Sequence, residues 1–315
     1  MDAITIKIGI INYPGAMQSA VHGLEEMFIL ANNICKQHDI QRCFSTESCD
    51  IERVTETIND DHTFLLQAVL IPPSIANDYY LSPDKQLKDW IKKHHARGAI
   101  TCSACAGAFI LASTGLLEQR PATTHWDLAA QFSYAYPNVA LDVDKTLIND
   151  GDIITADGIM SWIDLGLELV AQFTHPHIMR QLGKYLIVDT GLREQRYYRS
   201  FVPKLDHGDP VILKIQHYMQ IHFNEPITIT ALSKQGHLSE RTFLRRFVKA
   251  TGLRPAQYLQ RLRIQKACDL IETTNSTFET ISSEVGYEDN SAFRKTFVKI
   301  IGLTPKGFKT KFVNS

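Results

Sequence analysis

Short apolar runs alternate with amphipathic stretches through the first 188 of the 315 residues. The runs "TIKIGIINY" (5–13), "AVLIPP" (68–73) and "AITC" (99–102) are rich in apolar and β-branched residues, the pattern of buried strands. Between them lie a helical stretch around 18–33, the amphipathic "PDKQLKDWIKKHHARG" (83–98) and a helix beginning at Ala106. Strands alternating with helices predict an α/β domain, with a parallel, flavodoxin-like sheet and helices on both faces. In "KTLINDGDIITADG" (145–158), Asn149-Asp150-Gly151 separates two apolar halves and predicts a hairpin. "IMSWIDLGLELVAQF" and "HIMRQLGKYLIV" then read as two closing helices. Residues 189–209 are rich in charge, Gly and Pro and lack apolar periodicity, so a linker is expected there. The remainder, 210–315, reads as an all-α domain.

That remainder repeats itself at an offset of 50 residues: "ALSKQGHLSERTFLRRFVKATGLRPAQY" (231–258) lies over "ISSEVGYEDNSAFRKTFVKIIGLTPKGF" (281–308). Each copy reads as a helix, a turn at Gly236 or Gly286, and a second helix capped by Ser239 or Asp289. Phe243 and Phe247, like Phe293 and Phe297, are four apart and must share the inward face. The opposite face offers Glu240, Arg241, Leu244 and Arg245 in the first copy, and Asn290, Ser291, Arg294 and Lys295 in the second. Arg and Asn carry the forked donors and acceptors that match guanine and adenine edges in the major groove. Two helix-turn-helix units are therefore expected, held apart by a long helix over "PAQYLQRLRIQKACDLIETT".

Charge strengthens this reading. Net charge over the whole chain is −1, yet residues 1–208 carry 17 Lys/Arg against 25 Asp/Glu, and residues 209–315 carry 16 against 9. A basic C-terminal third suits a polyanion that the acidic remainder would repel. No run approaches the ~20 apolar residues of a membrane helix. The N-terminus lacks the cationic and apolar regions of a secretory signal, so a cytoplasmic protein with reduced cysteines is expected. No motif asks for a metal or a cofactor.

Chemistry concentrates in "AITCSACAGAFILA" (99–112), where a strand turns into a helix through small residues. Cys105 stands where a nucleophile would be presented, with a helix N-terminus to favour its thiolate. Burial as plain structure, a Cys102/Cys105 redox pair and nucleophilic catalysis all fit this stretch.

Residues 210–312 closely resemble the AraC/XylS family of transcription activators, through "GLRPAQYLQRLRIQKA" and "GYEDNSAFRKTFVKIIGLTPKGFK". The resemblance implies base-facing roles for Arg241, Arg245, Asn290, Ser291, Arg294 and Lys295. Lys249, Arg261, Arg263 and Lys299 are the candidates for phosphate neutralisation. Residues 4–188 look like the class I glutamine amidotransferase-like, PfpI-type domain of GlxA-type regulators, through "SACAGAFILASTGLLEQRPATTHWDLA" (103–129) and "DGIMSWIDLGLELV" (157–170). That resemblance puts Cys105 at the elbow and His125 at the family's histidine. Two departures oppose turnover: Ala20 stands where such enzymes place an acid, and Pro72-Pro73-Ser74 replaces a Pro-Gly-Gly strand end. Cys105 and His125 are thus expected as vestiges of a catalytic pair.

The expected protein is a transcription regulator, an activator rather than an enzyme. It would bind a small, nitrogen-containing effector among Asn12, Glu25, Ser74, Cys105, His125 and Trp126. Its other partners would be a double-stranded DNA operator, a second copy and RNA polymerase. A working cysteine hydrolase or lyase, and a thiol redox sensor, are the alternatives.

Overall fold

The computed structural model describes residues 3–51, 65–190, 201 and 203–313. Two compact units divide the chain, Met1–Gln195 and Arg196–Ser315. Most of the expected linker's middle, residues 191–200 and 202, lies outside the described residues.

In the first unit β1 (Ile4–Asn12) opens a six-stranded sheet, with β2 (Arg42–Asp50), β3 (Ala68–Ile71), β4 (Ile100–Ala104), β7 (Leu147–Asn149) and β8 (Ile153–Ala156). Their spatial order is β2-β1-β3-β4-β8-β7. Every pairing is parallel except β7 with β8, which forms the hairpin that Asn149-Asp150-Gly151 predicts. The sheet is thus mixed rather than wholly parallel, because a two-sided hairpin can only close antiparallel. β3 and β8 are buried along their whole length. β2 escaped sequence detection because only Phe44 and Cys49 of "RCFSTESCD" are buried, as befits an edge strand. Two further short strands, β5 (Pro121–Ala122) and β6 (Ala140–Leu141), pair with each other alone.

Helices α1 (Gln18–Gln37), α2 (Lys85–Ala96), α3 (Gly107–Ser113), α4 (Ala129–Ala135), α5 (Trp162–Phe173) and α6 (Pro176–Leu186) cover the sheet. α1 runs a turn beyond the predicted limit, because its buried stripe of Ala20, Val21, Leu24, Met27, Phe28, Ala31, Ile34 and Cys35 continues. Strands β1, β3, β4 and β8 all deliver their carboxyl ends to one edge, where ligands of open parallel sheets sit.

The second unit comprises α7 (Pro210–Ile221), α8 (Ile229–Gln235), α9 (Glu240–Thr251), α10 (Pro255–Thr273), α11 (Phe278–Glu284), α12 (Asn290–Ile301) and α13 (Pro305–Phe312). It holds two apolar cores, one per sequence copy: Phe243 and Phe247 lie in the first, Phe293 and Phe297 in the second, all fully buried. α10 is the expected connecting helix and contributes to both, Tyr258 and Leu262 to one and Ile264, Ala267 and Ile271 to the other.

Candidate functional site

The elbow is built as its small residues require. β4 ends at Ala104, and Cys105 turns the chain with φ +52°, a left-handed conformation rare for a side chain with a Cβ. Two hydrogen bonds to its backbone hold it there. Cys105 donates its N–H to the Ala156 carbonyl at 3.0 Å, and the Thr124 hydroxyl donates to the Cys105 carbonyl at 2.8 Å. Gly107 then lies so close to β3 that a Cβ on it would stand 2.7 Å from the Ile71 carbonyl oxygen.

The thiol so presented is not primed. Only 6% of Cys105 is exposed. Burial pushes its pKa up to about 11, the Ala106 N–H opposes this, and the Asp157 carboxylate adds to it. Cys102 is fully buried in β4, and burial raises its thiol too. Ala20, at the place of the expected acid, is wholly buried in α1.

Three groups around Cys105 went unnoticed in the sequence. Asp157, just past β8, is 5% exposed, and its carboxylate accepts from the Gly158 amide and the Ser161 hydroxyl. Tyr13, just past β1, donates its hydroxyl to the Pro72 carbonyl at 2.7 Å and stacks on Tyr79. Its pKa is raised by burial first and by Cys105 second; that of Tyr80 is raised by burial, Asp78 and Cys105. Their signal was positional: Tyr13 is the last residue of the predicted strand 5–13, and Asp157 lies near the end of the predicted hairpin 145–158.

Of the predicted pocket residues, Ser74 donates to the Gly15 and Ala76 carbonyls, both at 3.2 Å, on a turn bridged to Ala16. His125 follows Thr124, so the same tether that fixes Cys105 brings it near the elbow. Its Nδ1 accepts from the Asp127 amide at 3.2 Å, its ring lies 5.2 Å from that of Trp126, and burial lowers its pKa. Asn12 is engaged elsewhere, donating to Asp50 and accepting from Gln18, each at 2.8 Å. Glu25 pairs with His22 at 3.1 Å on the outer part of α1. Among the described residues no group of three or more His, Cys, Asp or Glu side chains is arranged to hold a metal ion. No described helix is long and apolar enough to cross a membrane.

In the second unit the expected caps form. Ser239 accepts from the Thr242 amide, and Asp289 from the amides of Ser291 and Ala292. α9 consequently starts by presenting Arg241 and Arg245 to solvent, and α12 presents Asn290, Ser291, Arg294 and Lys295. Arg294 is 3.6 Å from Glu279, with both side chains exposed. Lys249 and Lys299 are exposed at equivalent places, and Arg261 is half-buried. Arg246 is taken out of this surface by a two-bond ion pair with Asp209, at 2.8 and 2.6 Å. Arg263 departs from the phosphate role expected of it: its guanidinium donates to the carbonyls of Phe223, Gly286 and Glu225 at 2.7, 2.8 and 2.9 Å. Three of its five N–H groups are thereby engaged by the protein's own carbonyls.

With both sites in place, the relationships of the chain are clear. Residues 39–172 match the model of the DJ-1/PfpI family, and residues 232–311 match that of a helix-turn-helix domain. The transcriptional regulator CdhR of Pseudomonas aeruginosa is 26% identical over 220 residues, 70% of this chain and 65% of that protein. The regulator GlxA of Rhizobium meliloti is 22% identical over 207 residues, 65% of this chain and 64% of that protein. Both matches therefore span less than two thirds of the relative. A crystal structure of an AraC family transcriptional regulator from Pseudomonas putida superposes with a TM-score of 0.47 and 14% identity, covering 57% of this chain and 99% of that one. The two matched segments fall one in each unit of the chain. The chain thus joins a segment similar to the DJ-1/PfpI family to one similar to helix-turn-helix domains.

Proposed function

We propose that this chain is a sequence-specific DNA-binding transcription regulator, whose first unit binds a small effector beside the Cys105 elbow. The observation that carries it is the pair of capped helices, α9 and α12, each with its aromatic face buried and its cationic or amide face exposed. α10, 19 residues long, spans about 28 Å. That is close to the ~34 Å repeat separating successive major grooves on one side of a duplex. The likeness to named regulators in both domain types supports the same reading.

The effector's site lies at the carboxyl ends of β1, β3, β4 and β8, among Tyr13, Ser74, Tyr80, Cys105, His125 and Asp157. A thiol held protonated and an absent acid favour binding over turnover there. We take the working protein to be a cytoplasmic homodimer that activates transcription through RNA polymerase, two-fold assembly being the commonest way to pair DNA sites. The test is selection of duplexes from a random pool by the full-length chain, with a thermal-shift screen of amino acids, amines and quaternary ammonium compounds. Enrichment of one sequence whose affinity changes with a stabilising compound is expected; a chain that enriches no sequence overturns the reading.

A cysteine hydrolase or lyase remains the second reading, because the left-handed Cys105 and the Ala106 N–H reproduce a nucleophile's turn. Turnover of amides or aldehydes that Cys105→Ser abolishes would establish it.

A further inference from the structure

The two helix-turn-helix copies share a fastening that neither contains alone. α7 lies against the turn of the first copy, where a Cβ on Gly236 would meet Ile215 at 3.0 Å and Val211 at 3.1 Å. The chain leaving α7 then reaches the turn of the second copy. There a Cβ on Gly286 would stand 2.5 Å from the Asn224 carbonyl oxygen, and Gly286 itself has φ +85°. Phe223, in the same short segment, packs against the apolar cores of both copies. One stretch of chain therefore touches both turns.

Arg263 ties that stretch down. It rises from α10, the helix connecting the copies, and its Nε donates to the Phe223 carbonyl, its Nη2 to the Glu225 carbonyl and its Nη1 to the Gly286 carbonyl. The guanidinium also sits 5.6 Å from the centre of the Tyr287 ring. A bond of 2.9 Å between His222 and Glu225 closes the segment on itself. The repeat offers no counterpart, since the position 50 residues after Arg263 is Val313. A guanidinium is planar, with its donors in a fixed fork, so meeting three carbonyls from two segments at once fixes those segments relative to each other.

We infer that Arg263 is a positioning residue that locks the two copies at one separation, so that α9 and α12 engage DNA segments at a single spacing. This rests on the DNA-binding reading above. Without the lock, the copies are joined through α10, Phe223 and the approach of Gly286 to Asn224, and their separation is no longer held to one value.

The test uses the full-length chain and the duplex it enriches from a random pool, alongside the same duplex lengthened by half a helical turn, ~5 base pairs, between the two contacted segments. For the unaltered protein the insertion abolishes simultaneous engagement, and affinity falls by about 100-fold or more. Arg263→Gln should bind the original duplex more weakly and lose most of that spacing penalty. Arg263→Lys should resemble Arg263→Gln, because an ammonium's three donors radiate from one nitrogen and cannot span the three carbonyls that the guanidinium meets from three separate nitrogens. A phosphate contact would behave oppositely, with Lys restoring affinity and the penalty intact. An unchanged penalty in a folded Arg263→Gln protein overturns the inference, and if that variant fails to fold, Arg263→Lys carries the same comparison. Should the unaltered chain enrich no sequence, the DNA-binding reading falls by itself, and amide hydrogen exchange still decides the lock. Arg263→Gln must then speed exchange around 222–227 and 286–289 while α9 stays protected, and unchanged exchange there refutes it.

Discussion

Cys105 shows how little a sequence position says about reactivity until its surroundings are known. A left-handed backbone at a non-glycine residue costs of order 1–3 kcal/mol and persists only where neighbouring bonds enforce it, here those from Thr124 and to Ala156. The geometry of a nucleophile is present while its ionisation is suppressed. With a pKa of about 11, only about one thiol in ten thousand is ionised at pH 7. Iodoacetamide should therefore label folded Cys105 slowly at pH 7 and faster as pH approaches 11, read by mass spectrometry against the unfolded chain. Rapid labelling at neutral pH would revive the enzymatic reading. On the DNA side, Arg245→Ala should cost about 1–3 kcal/mol and relax preference at one base position. Lys249→Ala should instead weaken all duplexes alike and lower the salt slope by about one.

At the scale of elements, the two helix-turn-helix copies are read from the same local rules yet are closed differently. Each second helix begins at a side-chain cap and ends at a left-handed glycine, Gly252 or Gly302. Ser239→Ala and Asp289→Ala should each remove about 1 kcal/mol of stability, measured by urea unfolding. The turns differ in their surroundings. Gly236 has φ −82° and meets only side chains, which can give way, whereas Gly286 is left-handed and meets the Asn224 backbone, which cannot. Gly286→Ala should therefore destabilise the second unit more than Gly236→Ala, a ranking that the same unfolding curves check.

Across the whole molecule, pH should act on the first unit through His94, which packs against Trp90 on α2 and is 5% exposed. Burial first, then Arg97 and Lys93, lower its pKa from 6.5 to about 4. The folded unit thus binds fewer protons than the unfolded chain between these values, so stability rises with pH across that window and is lost as pH falls from 6.5 towards 4. The loss approaches roughly 3 kcal/mol, and His94→Gln should flatten it in thermal unfolding at a series of pH values. At lower pH a second loss follows from Asp152, whose pKa the Arg120 hydrogen bond lowers; it stabilises the fold above its unfolded value and ceases to do so once protonated. Arg120 binds both Asp150 and Asp152 across the β7–β8 turn, so Arg120→Ala should remove this acid-sensitive step.

The sequence by itself determined what is local or periodic. Alternating apolar runs fixed most of the first unit's strands and helices, and the 50-residue repeat fixed the second unit's caps, turns and buried phenylalanines, because a helix face or cap depends on neighbours a few residues away. It missed β2, an edge strand whose mostly polar, half-buried side chains leave no apolar pattern. Tertiary structure decided everything that depends on groups distant along the chain. Asp157 lies 52 positions from Cys105 and raises its thiol, and Tyr13 approaches from the opposite direction in sequence. Arg263 looks like one more basic residue on an amphipathic helix until the carbonyls of Phe223, Glu225 and Gly286 converge on it. A cation's role follows from which acceptors surround it, and only folding brings those acceptors together.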